Sequence, residues 1–174
     1  MDFPGTITLQ PETLISLTYD IAKSLKRNRI EKLVIVNGHG GNIPALSIVI
    51  RKIREELGLD VVLINPWELI NDVIQEVIES KVWGHACEFE TSLAYIEMPE
   101  LIRKDKIVDP KIKTPHPYMA IWERNMVHTP WRTKDFTNTG SIGFPSKATR
   151  EKGEKLWNAM LERVLEFIKA FISG

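Results

Sequence analysis

The first candidate for chemistry is a glycine-rich turn built around His39. Residues 36–42 read Val-Asn-Gly-His-Gly-Gly-Asn and directly follow the apolar run 32–36. In α/β sheets, ligands collect where a strand ends and the chain turns toward the next helix. Gly40 and Gly41 permit a close backbone approach to a metal ion or a substrate. The position therefore favours a functional role for His39 over that of a structural loop histidine.

The same glycines could belong to a nucleotide phosphate loop. Such loops end in Gly-Lys-Ser/Thr or follow a Gly-x-Gly-x-x-Gly spacing. The segment 36–42 has neither feature and lacks the lysine and hydroxyl that hold the phosphates. A phosphate loop is therefore disfavoured.

The second candidate is the segment 84–92, Gly-His-Ala-Cys-Glu-Phe-Glu-Thr-Ser, which leads into an apolar stretch. Imidazole and carboxylate groups together suit Zn, Mn or Fe. On a helix, His85, Glu88 and Ser92 would share one face, with Glu90 roughly opposite Glu88. The alternative is a capped helix whose acidic first turn is solvated, since acidic residues are common there. These residues alone leave both interpretations open.

Alternating strands and helices must position these two segments. Periodicity predicts strands at 6–9, 32–36 and 60–65, of which 32–36 has the continuous apolar character of a strand buried on both faces. Helices are predicted at 11–26, around 46–57, after Pro66 to about Ile78, at 86–98 and at 147–172. Asn28 and Gly58 are the expected left-handed residues at the ends of the first two helices. This alternation indicates one α/β domain over residues 1–174 with a mostly parallel sheet.

The segment 107–140 shows no sustained period and is rich in Pro, Thr, His and Trp. Loops of that length in a compact domain are usually functional or interfacial. His116 and His128 within it are interpreted as structural or interfacial residues, not as ligands.

Composition narrows the class of protein. Lys and Arg total 23, as do Asp and Glu, so the balance of charge gives no global attraction for nucleic acid or acidic lipid. The single cysteine, Cys87, excludes an intrachain disulfide and is interpreted as a small buried residue in a reducing compartment. The longest apolar runs are too short to cross a bilayer, and the first residues do not resemble a signal peptide. We expect a cytoplasmic protein without a membrane or nucleic-acid partner.

Both clusters, with two further stretches, resemble one known family. Four segments in order, 3–9, 36–42, 85–92 and 140–149, are similar to motifs of the creatininase (creatinine amidohydrolase) family. The resemblance covers nearly the whole chain and implies a three-layer α/β sandwich with a mostly parallel central sheet. It also implies hydrolysis of a non-peptide C–N bond by a metal-activated water, at one or two Zn, Mn or Fe ions.

The resemblance also implies roles for individual residues. His39 matches a metal-ligating histidine, and Glu90 matches a glutamate that serves as metal ligand or proton handler. His85 matches a histidine that contacts substrate or carries a proton to the leaving nitrogen. Gly40, Gly41, Trp83 and Trp131 are expected near the substrate. Family members assemble as homo-oligomers, typically hexamers, so the same is expected here.

This sequence differs from the family pattern in its N-terminal region and at Gly40 and Gly41. Full-length members carry Glu-x-His and a later Asp in an N-terminal strand region, and nothing in this sequence matches them. The chain is therefore expected to correspond to the last two-thirds of a member, with His39 and Glu90 as part of an incomplete metal site. Three explanations stay open: a fragment, a misassigned start, or a missing piece supplied by another chain. Creatininase proper has an aromatic residue at the position of Gly40 and a glutamate at that of Gly41. This difference puts creatinine itself in doubt, so the expected substrate is creatinine-like or formylaminopyrimidine-like. The alternative to an enzyme is a catalytically inactive structural or binding member of the fold.

Overall fold

The computed structural model describes residues 1–113 and 132–174, which form two compact units. The first, here the cavity unit, comprises residues 1–6 and 71–159. The second, here the sheet unit, comprises residues 7–70 and 160–174. The expectation of one domain over the whole chain stays a prediction.

The regular elements follow one another in an α/β order. They are α1 (Pro11–Arg27), β1 (Lys32–Val36), α2 (Ile43–Leu57), β2 (Asp60–Ile64), α3 (Pro66–Leu69), α4 (Asn71–Val77), α5 (Glu88–Glu97), α6 (Thr133–Phe136) and α7 (Arg150–Ser173). Short 3-10 turns lie at Gly40–Asn42, Pro99–Leu101, Lys104–Lys106 and Pro145–Lys147. Within residues 1–113 and 132–174, no helix combines the length and the apolar content that crossing a membrane requires.

The sheet unit is built on a parallel pair of strands. β1 and β2 run in parallel, in a register from Lys32 opposite Asp60 to Val36 opposite Ile64. One face of the pair packs on a core from α1, α2 and the residue before β2, namely Ala22, Leu46, Val49, Ile53 and Leu59. The strand residues that pack against this core alternate along each strand, as sheet geometry requires: Leu33, Ile35, Val61 and Leu63. The predicted α/β class with parallel pairing is confirmed.

Burial of the strands is less complete than their apolar run predicts. Val34 and Val62, on the alternate positions, are only partly buried, and Val36 is 55% exposed. The expectation that β1 is buried on both faces is therefore wrong for the described residues. An apolar run can indicate a strand without fixing what covers its second face.

The left-handed residue at the helix end was predicted correctly for α2 and wrongly for α1. Gly58 ends α2 in the left-handed conformation, with φ 60°, as predicted. At the end of α1 the left-handed residue is Arg29, with φ 64°, whereas Asn28 has φ −86°. Asn28 instead uses its side-chain amide, which donates to the carbonyl oxygen of Ser24 at 2.9 Å.

Three predicted elements have different bounds. Residues 6–9 form no strand, and Ile7 is 93% exposed, because β-branched residues make a strand only where a neighbouring strand pairs with them. The helix expected after Pro66 is two helices, α3 and α4. The last helix begins at Arg150 instead of residue 147, because the chain at Pro145–Lys147 makes a 3-10 turn.

The cavity unit has its own buried centre. Cys87, Phe136, Ile142 and Leu156 are each at most 1% exposed. Burial raises the pKa of the Cys87 thiol, the largest of several influences, so this thiol stays protonated at neutral pH. Cys87 therefore acts as a small core residue, in agreement with its interpretation from sequence.

A close approach between α5 and α7 gives a test of this packing. A methyl group at Gly153 would overlap the backbone carbonyl of Ser92 and lie 3.0 Å from a side-chain carbon of Ile96. We expect Gly153→Ala to lower the free energy of unfolding by about 1–3 kcal/mol, the usual cost of overpacking. This outweighs the helix propensity of alanine, which favours the substitution by about 1 kcal/mol. Urea unfolding followed by circular dichroism measures the change.

The control for Gly153→Ala is Asn158→Ala, at an exposed position of the same helix. It gains helix propensity without a steric clash, so its stability should equal or slightly exceed that of the unchanged protein. A Gly153→Ala protein as stable as Asn158→Ala would show that the two helices are not closely packed there.

Candidate functional site

The turn that carries His39 is organised by Asn37, which is 3% exposed. The backbone N–H of Asn37 donates to the Ile64 carbonyl at 2.8 Å, which extends the strand pairing by one residue. Its side-chain amide donates to the carbonyl oxygen of His39 at 2.9 Å and to Asn65 Oδ1 at 2.8 Å. Its side-chain oxygen accepts from the His39 N–H at 3.1 Å and from Asn42 Nδ2 at 3.3 Å. Asn37 therefore fixes the backbone of His39 on both sides.

The imidazole of His39 lies over Gly41. A Cβ atom at Gly41 would be 2.8 Å from His39 Nε2 and 3.0 Å from Cδ2. Any side chain at position 41 would therefore push the ring away from its place. His39, Gly40 and Gly41 are all exposed, and a Cβ at Gly40 would meet no atom within 4 Å. The turn thus presents a positioned histidine on an open surface.

His85 is held by a backbone bridge and not by a helix. Its N–H donates to the Ile142 carbonyl at 3.3 Å, and the Ile142 N–H donates back to the His85 carbonyl at 2.6 Å. α5 begins only at Glu88, so the prediction that His85 shares a helix face with Glu88 and Ser92 is wrong. Glu88 and Ser92 do lie on one buried face, since both are 0% exposed. The bridge to Ile142, 57 residues farther along the chain, had no local signal in the sequence.

His85 and Glu90 face each other at the start of α5. His85 Nδ1 lies 4.0 Å from Glu90 Oε2, and the two side chains are 46% and 43% exposed. The same carboxylate oxygen accepts a hydrogen bond from the backbone N–H of Ala86. Ala86 has a left-handed φ of 44°, and the Ser141 hydroxyl donates to its carbonyl at 2.8 Å. A carboxylate fixed beside an imidazole is an arrangement that can orient the ring and exchange protons with it.

Glu88 forms a buried ion pair that anchors the start of α5. The carboxylate accepts from Lys152 Nζ at 2.5 Å, from Ser80 Oγ at 2.5 Å and from the backbone N–H groups of Ser80 at 2.9 Å and Glu79 at 3.2 Å. Burial alone would raise the pKa of Glu88, but the hydrogen bonds from Lys152 and Ser80 outweigh it and hold the pKa below its ordinary value. Of the two interpretations that the sequence left open, the solvated acidic turn does not hold for Glu88. Lys152 comes 64 positions later, so no local pattern could reveal the pair.

A cavity of about 560 Å³ opens beside this site in the cavity unit. Its walls come from the N-terminal residues, the His85 loop, the turn near residue 106 and the loop at 139–145. The lining residues are Phe3, Thr6, His85, Ala86, Thr91, Lys106, Ile107, Val108, Thr139, Gly140, Ser141 and Pro145. A volume of this size suits a small organic molecule.

Trp83 and Trp131 are the two tryptophans expected near substrate. Trp83 packs edge to face with Phe89, with ring centroids 6.3 Å apart and an interplanar angle of 62°. It is not among the described residues that line the 560 Å³ cavity, so its contact with substrate stays a prediction. Trp131 lies outside the described residues.

Metal-donor side chains are present in both units. His39 belongs to the sheet unit, and Glu90 and His85 belong to the cavity unit. Within residues 1–113 and 132–174, no group of three or more His, Cys, Asp or Glu residues could hold a metal ion. Catalytic metals usually take three protein ligands, so the described donors do not by themselves fit a metal centre.

Curated relatives share the sequence over most of its length. A creatinine amidohydrolase from Pseudomonas putida is 29% identical over 179 residues, which are 96% of this chain and 66% of the relative. A mycofactocin precursor peptide peptidase from Mycobacterium ulcerans is 26% identical over 172 residues, or 99% of this chain and 61% of the relative. The chain thus spans less than two-thirds of the length of these relatives.

Solved structures share the fold. A Bacteroides fragilis protein solved as a candidate creatinine amidohydrolase matches with a TM-score of 0.83 and 28% identity, covering 95% of this chain and 64% of that one. A mutant creatininase of the Zn-Zn type matches with a TM-score of 0.75 and 26% identity, covering 98% and 68%. A mutant creatininase complexed with creatine matches with a TM-score of 0.74 and 26% identity, covering 97% and 68%.

The family model itself agrees with the four motifs. The model described as creatinine amidohydrolase matches residues 1–168, which include both the His39 turn and the His85–Glu90 site. Because this match takes in nearly the whole sequence, the chain belongs to the creatininase family.

Proposed function

We propose that the protein hydrolyses a non-peptide C–N bond in a small cyclic amide or formamide. The observation that carries the proposal is the His85–Glu90 pair, 4.0 Å apart, in which His85 lines a cavity of about 560 Å³. The names of the relatives support hydrolysis of a C–N bond in general, since one is a creatinine amidohydrolase and the other a peptide peptidase. A proton-transferring pair beside a small-molecule cavity is what such a reaction requires.

The proposed reaction adds water to the carbonyl carbon and breaks the C–N bond. Glu90 accepts the proton lost by the attacking water and passes it to His85. His85 delivers a proton to the nitrogen as it leaves, which balances the proton lost by the water. The Ala86 N–H donates to the Glu90 carboxylate and so holds it close to the backbone of the His85 loop.

We further propose that His39 contributes a ligand to a divalent metal. The exposed ring, its fixed backbone and the open space at Gly40 support this role. The similar creatininase of the Zn-Zn type also supports it. The described residues do not supply a complete donor set, so the reaction steps above use only the side chains of this chain.

The identity of the substrate is a finer part of the proposal. Creatininase proper carries larger side chains at the positions of Gly40 and Gly41, and this difference favours a formamide over creatinine. A homo-oligomeric state and a cytoplasmic location are likewise proposals.

Metal binding is tested by the zinc content of the purified chain. After incubation with Zn and removal of free metal by gel filtration, plasma emission should find bound zinc in the unchanged protein. His39→Ala should lower zinc affinity by about 10-fold or more, because an imidazole ligand is lost. The matched control His128→Ala, a histidine not expected to ligate, should retain the zinc. Equal zinc content in the unchanged protein and in His39→Ala would refute the assignment of His39.

A further inference from the structure

The cavity beside His85 has one lysine, Lys106, among its described lining residues. Among its described lining residues, Lys106 is the one with a permanently charged side chain, while the others are apolar, hydroxyl-bearing, glycine or His85 itself. Asp105 pairs with Lys106 at 3.2 Å, but both side chains are about 70% exposed, at 71% and 68%. An exposed ion pair of this kind is worth little and leaves the ammonium able to bind another anion.

The hydroxyl groups around the cavity are already engaged with the protein. Thr6 Oγ1 donates to the Phe3 carbonyl at 2.9 Å, and Ser141 Oγ donates to the Ala86 carbonyl at 2.8 Å. Thr139 Oγ1 accepts from the Ser141 N–H at 3.3 Å. These groups hold the walls together, and Lys106 adds a charged donor to a lining otherwise made of apolar, hydroxyl and imidazole groups.

The backbone of Lys106 is fixed by a 3-10 turn, Lys104–Lys106. The Lys106 N–H donates to the Arg103 carbonyl at 2.9 Å, and the Ile107 N–H donates to the Lys104 carbonyl at 3.3 Å. Ile107 and Val108, the next two residues, also line the cavity. The turn therefore places the backbone of Lys106 beside the apolar lining residues Ile107 and Val108.

We propose that this cavity takes a substrate bearing an anionic group, a carboxylate or a phosphate, and that Lys106 binds that group. The inference rests on the proposed function and adds a substrate class to it. Lys106 would act as a specificity residue, because its charge distinguishes an anionic amide from a neutral one of the same shape. The bond to be hydrolysed would lie next to His85, which lines the same cavity as Lys106.

A binding experiment tests this without requiring turnover. Three probes share an acetamide group: N-acetylglycine carries a carboxylate, N-acetyl-O-phosphoethanolamine carries a phosphate, and N-acetylglycinamide is neutral. Ligand-observed NMR on the intact chain should show saturable millimolar binding of at least one anionic probe and binding of the neutral probe at least about 10-fold weaker. The anionic probe with the lower dissociation constant shows whether the cavity prefers a carboxylate or a phosphate.

Variants then assign the effect to Lys106. Lys106→Gln should weaken the anionic probe about 10-fold and leave the neutral probe unchanged, since one charge-assisted hydrogen bond is lost. Lys104→Gln is the matched control: it lies on the same turn, but its ammonium lies 5.4 Å from the centre of the Tyr95 ring and does not line the cavity. It should bind all probes as the unchanged protein does.

Several results would overturn the inference. They are failure of both anionic probes to bind, equal affinity for the neutral probe, or equal behaviour of Lys106→Gln and Lys104→Gln. A different result would contradict the proposed hydrolysis. A chain that binds the anionic probes through Lys106 but hydrolyses no amide would contradict the proposed function alone, and one that hydrolyses neutral amides regardless of Lys106 would contradict this inference alone.

Discussion

Replacing His85 by glutamine is expected to lower the rate of amide or formamide hydrolysis by about 100- to 10,000-fold, the usual contribution of a positioned proton-transfer group. Glutamine keeps a polar side chain of similar length but cannot accept and release a proton at neutral pH. The backbone bridge of His85 to Ile142 does not depend on the side chain, so the fold should persist. Initial rates of formate release from N-formylglycine measure the loss, and thermal unfolding checks the fold.

The control for His85→Gln is Glu100→Gln, on the exposed turn Pro99–Leu101 of the same unit. It should leave the rate unchanged. Glu90→Gln, which removes the neighbouring carboxylate at 4.0 Å, should also slow the reaction. If His85→Gln hydrolysed substrate as fast as Glu100→Gln, His85 would have no part in proton transfer.

The second large effect is expected on stability, from the buried carboxylate of Glu88. Glu88→Ala leaves the ammonium of Lys152, whose side chain is 16% exposed, without its buried partner. Breaking a buried ion pair from one side typically costs about 3–5 kcal/mol. Glu79, whose side chain is 65% exposed, remains 2.7 Å from the ammonium and offsets part of this cost. The hydrogen bonds from Ser80 to the same carboxylate are lost as well. Urea unfolding should therefore show a large fall in the free energy of unfolding.

Lys152 offers an internal control, since it has a second acidic partner. Glu79 lies 2.7 Å from the same ammonium, but its side chain is 65% exposed. Glu79→Ala should cost no more than about 1 kcal/mol, as exposed ion pairs do. The double variant Glu88→Met/Lys152→Met should recover much of the loss, because neither charge is then buried alone. Equal costs for Glu88→Ala and Glu79→Ala would show that burial of Glu88 is not what stabilises the start of α5.

Local sequence patterns predicted those parts of the fold that depend on neighbouring residues. The apolar runs gave the bounds of β1 in full and those of β2 to within one residue, and Gly58 ended α2 as expected. In each case the signal and the structure that it specifies lie within a few positions. The strand expected at residues 6–9 was wrong for the complementary reason, since a strand requires a partner that its own residues cannot specify.

In the candidate site, too, local patterns predicted some features, and distant contacts decided the others. The His39 turn followed from a short motif at the end of a predicted strand. The closeness of His85 to Glu90 did not, because a helix through both residues would place Glu90 away from the face that carries His85. The supports of that site did not follow, because Ile142, Ser141 and Lys152 are brought to it by the tertiary fold. Neither interpretation of the Glu88 segment included its ion pair with Lys152, since an acidic residue at a helix start is ordinarily solvated. Burial of such a residue is decided by contacts that are distant in sequence.

The most direct test of the account is turnover by the zinc- or manganese-loaded chain on N-formylglycine and, separately, on creatinine. The account predicts formate release from N-formylglycine well above that of the metal-free chain and of His85→Gln, with slower or no conversion of creatinine to creatine. A folded chain with bound metal that releases neither product above the His85→Gln background would contradict it.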